Sequence, residues 1–243
     1  MFIRDNFERQ RKINVSLAAR DSDLVKIGRD FLAHADKYQY GYFWRFMGLP
    51  IIQMPEDIVL TQEILWKLKP DVVIEAGVAW GGSLLMYAAF QDIEKKGKTF
   101  GIDLVTPDHN KAAIMKSPVS HRITLIEGSS TDLKVFNQIA QEVKQDDRIL
   151  LVLDSNHTES HVLEELKLWT PLLKKGDVLI VSDTIVEDIP IQTHRPRPWG
   201  PGNNPKTALL KFLETTDRFS YDNDYSLRAL NSFNPSGYLF CIK

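Results

Sequence analysis

The chain has 243 residues, of which 43% are hydrophobic, enough to bury the core of one α/β domain with an N-terminal extension. The 30 Lys and Arg residues against 32 Asp and Glu residues give a net charge of −2, so no surplus of positive charge indicates a nucleic-acid partner. The sequence has neither the apolar run of a signal peptide nor the roughly 20 apolar residues of a membrane span, and we expect a soluble, cytoplasmic protein.

Residues 1–50 are predicted to form an N-terminal extension, which is first helical and amphipathic and then aromatic. The segment YQYGYFWRFMGLPII at 38–52 contains six aromatic residues between Tyr38 and Phe46. Such a density indicates a buried cap or a contact between subunits more than a ligand site. We therefore assign 1–50 to the extension and 51–243 to a single domain.

Within 51–243, short apolar strands alternate with amphipathic helices. This alternation predicts an α/β fold, in which a parallel sheet carries helices on both faces. The tail is expected to add two strands joined by the turn NPSG, and its Cys241, the only cysteine, to be buried and inert. The predicted strands are 71–77, 98–104, 121–128, 148–154 and 177–183, and the predicted helices are 55–70, 82–95, 131–144, 158–176 and one from Pro205.

Polar or glycine residues stand at the end of each of the five predicted parallel strands. Ligands of such sheets bind beyond the carboxyl ends of the strands, so these residues predict one shared site. They are Glu75 and Gly77, Asp103, Glu127 and Gly128, Asp154, and Asp183.

The glycine-rich turn in IEAGVAWGGSLLMYAA (74–89) favours S-adenosylmethionine as the ligand. Ala79 stands where a dinucleotide fingerprint needs glycine, and the Lys-Ser/Thr pair of a P-loop is missing. Glu75 would repel phosphate and attract an ammonium group, while the turn's N–H groups would bind a carboxylate and Asp103 the ribose hydroxyls. The structural alternative is that the glycines only permit tight packing. The predicted cofactor-binding residues are Glu75, Gly77, Gly81, Gly82, Ser83, Asp103, Gly128 and Ser129.

A second group of polar residues lies at the ends of the fourth and fifth strands. The carboxylates of Asp154 and Asp183 end neighbouring strands and could share a hard divalent cation. His157 follows Asp154 by three residues, where its imidazole could take a proton from a hydroxyl group. The structural alternatives are a helix cap for Asp154, a turn residue for Asp183 and a surface histidine for His157. His161, one turn further on, is expected to be structural or solvated.

A long proline-rich loop follows the fifth strand and ends at the helix that begins at Pro205. A loop of this length is either disordered or a functional lid. Its cationic, indole and amide side chains could stack on a sugar-like or carboxylated acceptor and form hydrogen bonds with it. The alternative is a stiff surface loop without a binding role. Asn204 is also a candidate N-cap of the next helix. The predicted lid residues are Arg195, Arg197, Trp199, Asn203, Asn204 and Lys206.

Five stretches carry a family resemblance. They are MGLPIIQMPEDI (47–58), PDVVIEAGVAWGGSLLMYA (70–88), LVLDSNHTESHVLEEL (151–166), GDVLIVSDT (176–184) and RPWGPGNNPKTALLKFL (197–213). The chain resembles the cephalosporin hydroxylase family, a branch of the class I S-adenosylmethionine-dependent methyltransferases. Related metal-dependent sugar O-methyltransferases have the same active site.

The resemblance implies a Rossmann-like class I methyltransferase fold for 51–243, with a seven-stranded, mostly parallel sheet. It also implies S-adenosylmethionine, Mg²⁺ and a homo-oligomer, with Asp154 and Asp183 as metal ligands and His157 as general base. One position departs from the family pattern, because Ser182 stands where similar proteins carry a metal-binding Glu. A serine hydroxyl is a weak, neutral ligand, so we expect a lower metal affinity, or water or the acceptor in place of the missing carboxylate. Ser182 remains in the predicted metal set.

The predicted function is therefore Mg²⁺-dependent O-methylation of a sugar hydroxyl in a polysaccharide, glycolipid or glycosylated natural product. An oxidoreductase or hydroxylase is one alternative, although Ala79 in the glycine turn counts against a nicotinamide dehydrogenase. A non-catalytic subunit that binds the cofactor or a partner enzyme is the other. The acceptor and the position methylated do not follow from the sequence.

Overall fold

The computed structural model describes residues 4–243, and residues 1–3 of the predicted extension lie outside the described residues. The helices are α1 (Arg4–Arg20), α2 (Ser22–Ala35), α3 (Pro55–Leu68), α4 (Gly82–Ile93), α5 (Asp108–Met115), α6 (Leu133–Ala140), α7 (Glu159–Trp169), α8 (Pro205–Leu213) and α9 (Asn223–Arg228). The strands are β1 (Arg45–Phe46), β2 (Leu49–Pro50), β3 (Val72–Ala76), β4 (Lys98–Asp103), β5 (Ile123–Glu127), β6 (Ile149–Leu153), β7 (Val178–Val181), β8 (Phe219–Tyr221) and β9 (Tyr238–Cys241).

Among residues 4–243, seven strands form one sheet in the order β5-β4-β3-β6-β7-β9-β8. The first five strands in this order, β5, β4, β3, β6 and β7, are parallel to one another. The strand β9 runs antiparallel to both β7 and β8. The carboxyl ends of the five parallel strands therefore lie at one edge of the sheet. This architecture confirms the predicted Rossmann-like methyltransferase fold with its mostly parallel seven-stranded sheet.

The central strands β3, β6 and β7 are buried at every position, as expected for strands that helices cover on both faces. On one face they pack against α6, α7 and α8, where Trp169 is one of the largest buried side chains. On the other face they pack against α3 and α4, with Ile64 and Leu84 in the core. Glu75 is the only polar side chain in these three strands.

The C-terminal tail differs from its prediction. Its two strands are present and Cys241 is buried, but NPSG does not join the strands directly. The helix α9 follows β8, because the side chain of Asp222 caps it by accepting from the N–H of Tyr225. The buried carboxylate of Asp57 then holds the segment before β9, accepting hydrogen bonds from Ser232 Oγ and the Phe233 N–H.

The N-terminal extension lies partly on the domain and partly against solvent. Helix α1 contacts α2 and α9 and buries none of its described residues. In the aromatic segment, Trp44 and Phe46 pack against the core, whereas Tyr38 and Phe43 are exposed. The predicted buried cap thus accounts for part of the segment, and the predicted subunit contact stays a prediction. None of the described helices is long and apolar enough to cross a membrane.

Candidate active site

A cavity of about 980 Å³ opens at the carboxyl edge of the sheet. Small-molecule sites usually have volumes of about 300–1,000 Å³, so this cavity lies at the upper end of that range. Its wall includes a residue at or just beyond the end of each parallel strand, namely Gly77, Asp103, Gly128, Asp154 and Asp183. The five strand ends therefore converge on one space, although two residues predicted there, Glu75 and Glu127, do not line the cavity.

The glycine turn after β3 forms one wall, and its backbone is held tightly. Gly77 has φ +94°, and a Cβ atom there would lie 2.0 Å from the carbonyl oxygen of Asp154. The carboxylate of Asp103 accepts hydrogen bonds from the N–H groups of Val78 (3.0 Å) and Ala79 (3.2 Å). Two N–H groups that we expected to be available to a ligand carboxylate are thus paired with Asp103.

We expect Gly77→Ala to destabilise the fold, because the new Cβ meets backbone that cannot move away cheaply. Gly202→Ala is the matched control, since Gly202 has φ +83° but no atom within 4 Å of the added Cβ. The free energy of unfolding, measured in urea, should fall by about 2 kcal/mol more for Gly77→Ala than for Gly202→Ala. Equal losses would show that the close approach to Asp154 is unimportant.

Glu75 is buried behind the turn and does not line the cavity. Its carboxylate accepts hydrogen bonds from Ser83 Oγ and Tyr87 OH, each at 2.9 Å. Burial raises the pKa of Glu75 to about 8, and the charge of Asp103 adds to this, while the two hydrogen bonds oppose it. The side chain shapes the turn from behind, and its predicted contact with the amino end of a cofactor stays a prediction.

The raised pKa of Glu75 makes stability depend on pH. The folded state keeps a proton that the unfolded chain loses near pH 4.5, so the unfolding free energy should fall as pH rises from about 5 to 8. In Glu75→Gln, the loss of unfolding free energy between pH 5 and 8 should be smaller than in wild type by about 2 kcal/mol. Asp57, whose pKa burial raises to about 6, leaves a residual slope at lower pH.

The measurement is the urea midpoint of Glu75→Gln and wild type at several pH values between 5 and 8. Glu127→Gln serves as the control, since Glu127 is an exposed glutamate at the end of β5. If Glu75→Gln keeps the full wild-type slope, the proton is held elsewhere.

Asp154, His157 and Asp183 form a cluster beyond the ends of β6 and β7, and their possible ligand atoms all lie within 4.8 Å of one another. His157 Nδ1 is 3.1 Å from Asp183 Oδ2, and His157 Nε2 is 3.9 Å from Asp154 Oδ1. Burial and the charge of Asp183 raise the pKa of Asp154 well above its ordinary range. His157 lowers the pKa of Asp183 against the effect of burial.

The donor atoms of this cluster fit a hard divalent cation. Two carboxylates on adjacent strand ends supply the oxygen ligands that Mg²⁺ prefers. Ser182, the third predicted ligand, is buried, does not line the cavity, and its Oγ has no hydrogen-bond partner among residues 4–243. The part of Ser182 in metal binding stays a prediction.

The loop after β7 forms the outer wall of the cavity, and only some of its predicted residues face the ligand space. Trp199 stacks on the His157 ring with centroids 4.9 Å apart, and Arg197 lies over Trp199 at 5.4 Å. Both line the cavity, as does Arg195. The remaining three predicted lid residues do not line it and instead hold the loop in shape, namely Asn203, Asn204 and Lys206.

The contacts of these three residues explain why they turn away from the cavity. Asn203 accepts from the N–H of Glu159 and donates to the Pro198 carbonyl. Asn204 caps α8, as predicted, through a capping box. Lys206 forms an ion pair with Asp188 at 2.7 Å. These asparagine side chains form hydrogen bonds with nearby backbone groups, and the lysine side chain pairs with a nearby carboxylate.

The extension supplies part of the cavity wall, although the aromatic pattern at 38–46 favours a buried cap or a subunit contact over a ligand site. Tyr40 and Tyr42 line the cavity together with Leu32 of α2. Asp36 accepts a hydrogen bond from Arg195 and lies 3.0 Å from His194 Nε2, which fixes the loop against the extension. The extension is therefore part of the site.

His161 also lines the cavity, where it belongs to a buried polar cluster. Its Nε2 lies 3.3 Å from Glu165 Oε1, which accepts hydrogen bonds from Ser130 and Ser155. Hydrogen bonding to Glu165 raises the pKa of His161. A structural role, one of the two that we expected, agrees with these contacts.

Comparison with known proteins places this site in a family. The sequence model of the family Rhamnosyl O-methyltransferase/CmcI matches residues 37–242. A rhamnosyl O-methyltransferase from Mycobacterium tuberculosis (strain H37Rv) is 32% identical in an alignment of 246 residues, gaps included. The alignment covers 92% of this chain and 95% of the relative. A rhamnosyl O-methyltransferase from Mycobacterium leprae is 34% identical over 161 residues, covering 64% of this chain and 68% of the relative.

Solved structures share the fold. CmcI-D160 with Mg and SAM aligns with a TM-score of 0.58 and 21% identity over 83% of this chain and 78% of that chain. The apo-structure of CmcI-N160 aligns with the same TM-score and identity over 83% of this chain and 77% of that chain. The chain therefore belongs to the Rhamnosyl O-methyltransferase/CmcI family, which confirms the resemblance identified in its sequence.

Proposed function

We propose that the protein is an S-adenosylmethionine- and Mg²⁺-dependent O-methyltransferase that acts on a hydroxyl group of a sugar. The observation that carries the proposal is one cavity that joins the glycine turn and Asp103 to the Asp154–His157–Asp183 cluster. The names of the mycobacterial relatives make a rhamnosyl group the first acceptor to test. The CmcI structure with Mg and SAM supports the choice of cofactors.

The donor end of the cavity is the wall formed by the glycine turn and the ends of β4 and β5. When bound, S-adenosylmethionine supplies an electrophilic methyl group. Glu75 and Gly81 support this wall from behind, since neither lines the cavity. The wall residues assigned to the cofactor are Gly77, Gly82, Ser83, Asp103, Gly128 and Ser129.

At the acceptor end, His157 is the base that takes the proton of the sugar hydroxyl. Its Nδ1 pairs with Asp183, so Nε2 is the nitrogen available to accept a proton. Stacking on Trp199 fixes the plane of the ring. Asp154 and Asp183 would hold the cation, which when bound lowers the pKa of a hydroxyl group beside it.

The outer part of the cavity suits the rest of the acceptor. Arg197 and Trp199 place a cation and an indole ring beside the space for a sugar, as the sequence suggested. Residues 1–50, the predicted extension, contribute Tyr40 and Tyr42 to the wall and are assigned to acceptor binding. A homo-oligomer and a cytoplasmic location stay predictions from the sequence.

The test is isothermal titration of the purified protein with S-adenosylmethionine and with NAD⁺, followed by assays of methyl transfer to rhamnosyl glycosides with Mg²⁺ or with EDTA. Binding of S-adenosylmethionine and Mg²⁺-dependent transfer to a sugar would support the proposal. Binding of NAD⁺ alone would favour the oxidoreductase alternative. Binding of S-adenosylmethionine without transfer to any sugar tested would favour a non-catalytic cofactor-binding subunit.

A further inference from the structure

Gln53 is a cavity residue whose position is fixed by the residues on either side of it. The loop between β2 and α3 buries Ile51 and Met54 almost completely. The N–H of Ile51 also donates to the carbonyl of Trp44 at 3.1 Å. Between these two anchors, Gln53 lines the cavity. Its side chain is therefore presented to the site by a firmly held stretch of backbone.

The amide of Gln53 contacts one oxygen of Asp154. Gln53 Nε2 donates a hydrogen bond to Asp154 Oδ2 at 3.0 Å. The other oxygen, Oδ1, is the one nearer His157, at 3.9 Å from its Nε2. The two carboxylate oxygens thus face different partners, with the amide of Gln53 on one side and His157 on the other.

The chemistry of an amide suits this position. A cation is attracted to the cluster by the negative charges of Asp154 and Asp183, and a Lys or Arg side chain bound to Asp154 would cancel part of that attraction. An amide N–H orients a carboxylate without bringing a positive charge. Residues that hydrogen-bond to a ligating side chain in this way commonly set its orientation and the affinity for the metal.

We propose that Gln53 is a positioning residue, which holds Asp154 Oδ2 so that Oδ1 stays turned toward His157, in the cluster where the divalent cation would bind. The inference rests on the metal dependence given in the proposed function. Gln53 itself does not ligate the cation. Its action is through the carboxylate of Asp154.

The experiment measures Mn²⁺ binding to the full chain by titration and by electron paramagnetic resonance. Gln53→Met keeps the length of the side chain but has no donor, and it should weaken Mn²⁺ binding by roughly 10-fold while S-adenosylmethionine affinity stays unchanged. Gln62→Met, the same change on α3 away from the cavity wall, should bind Mn²⁺ as wild type does. Gln53→Ala replaces Gln53→Met if that variant does not fold.

Two further readouts separate positioning from other roles. The number of water molecules bound to Mn²⁺, obtained from spin-echo spectra in D₂O, should not change in Gln53→Met, and one additional water would make Gln53 a ligand and overturn the inference. Gln53→Lys still donates to Asp154 but adds a positive charge, so it should weaken Mn²⁺ binding more than Gln53→Met does. A Gln53→Lys variant that binds as wild type would contradict the charge argument.

The failure of this inference is distinguishable from failure of the proposed function. If wild type binds Mn²⁺ and Gln53→Met binds it equally well, the positioning role alone is wrong. If wild type binds no Mn²⁺, the metal dependence is wrong and the role of Gln53 falls with it.

Discussion

Replacing His157 by glutamine is expected to lower the kcat of methyl transfer by about 10²- to 10⁴-fold, the usual contribution of a general base. His157 is the candidate base because Nδ1 is paired with Asp183 while Nε2 remains available in the cavity. A glutamine side chain can still donate to Asp183, so the local structure should persist. The measurement is the single-turnover rate with a rhamnosyl glycoside, beside titration of S-adenosylmethionine.

The affinity for S-adenosylmethionine should not change in His157→Gln, because His157 follows β6, whereas the residues assigned to the cofactor follow β3, β4 and β5. His121→Gln provides the matched control, since His121 is exposed and contacts Asp92 outside the site. A variant that retains the wild-type rate would remove His157 from the proton-transfer role. A loss of S-adenosylmethionine binding together with the rate would assign His157 a role in the cofactor site instead.

The fold and the edge that carries the site could be predicted from the sequence for a physical reason. Strands that are buried on both faces must be apolar along their length, and this pattern stands out in a sequence. Polar residues that follow such strands have to reach the same edge of a parallel sheet. Gly77, Asp103, Asp154 and Asp183 were therefore recognisable, and all four line one cavity.

Other residues could not be predicted because their contacts join distant parts of the chain. Gln53 lies 101 residues before Asp154, and Asp36 lies 159 residues before Arg195. No periodic pattern links such positions, since each belongs to an irregular segment whose direction is set by packing. The local pattern at the tail also led to a wrong prediction, since the turn residues NPSG do not join the last two strands directly. Helix α9, whose N-terminus Asp222 caps, lies between β8 and that turn.

Side-chain direction is a further limit, and Glu75 is an example of it. Its place just before the glycine turn suggested a ligand contact, but alternate residues of a strand point to opposite faces of the sheet. Glu75 points to the face covered by α4, where Ser83 and Tyr87 bind it. The residue type and the strand position were clear, whereas the partner depended on the helix packed above.

Replacing Asp183 by asparagine is expected to weaken binding of Mn²⁺ or Mg²⁺ by at least about 100-fold, since residues that only support a metal ligand already contribute about 10- to 100-fold. The change removes one of the two carboxylates that can face the cation. Asparagine tolerates the left-handed backbone of Asp183, which has φ +56°, and can still accept a hydrogen bond from His157. The loss should therefore come from charge and not from misfolding.

The same variant should lose some stability in the protein without a cation, because the charge of Asp183 attracts His157, which lowers the pKa of Asp183, and this attraction outweighs the repulsion between Asp154 and Asp183. The raised pKa of Asp154, to which the charge of Asp183 contributes, reports that repulsion. Thermal denaturation in EDTA tests this, with Asp146→Asn at an exposed position as control. Weakened metal binding by a variant that still unfolds cooperatively would locate the cation at the cluster, whereas unchanged metal affinity would place it elsewhere.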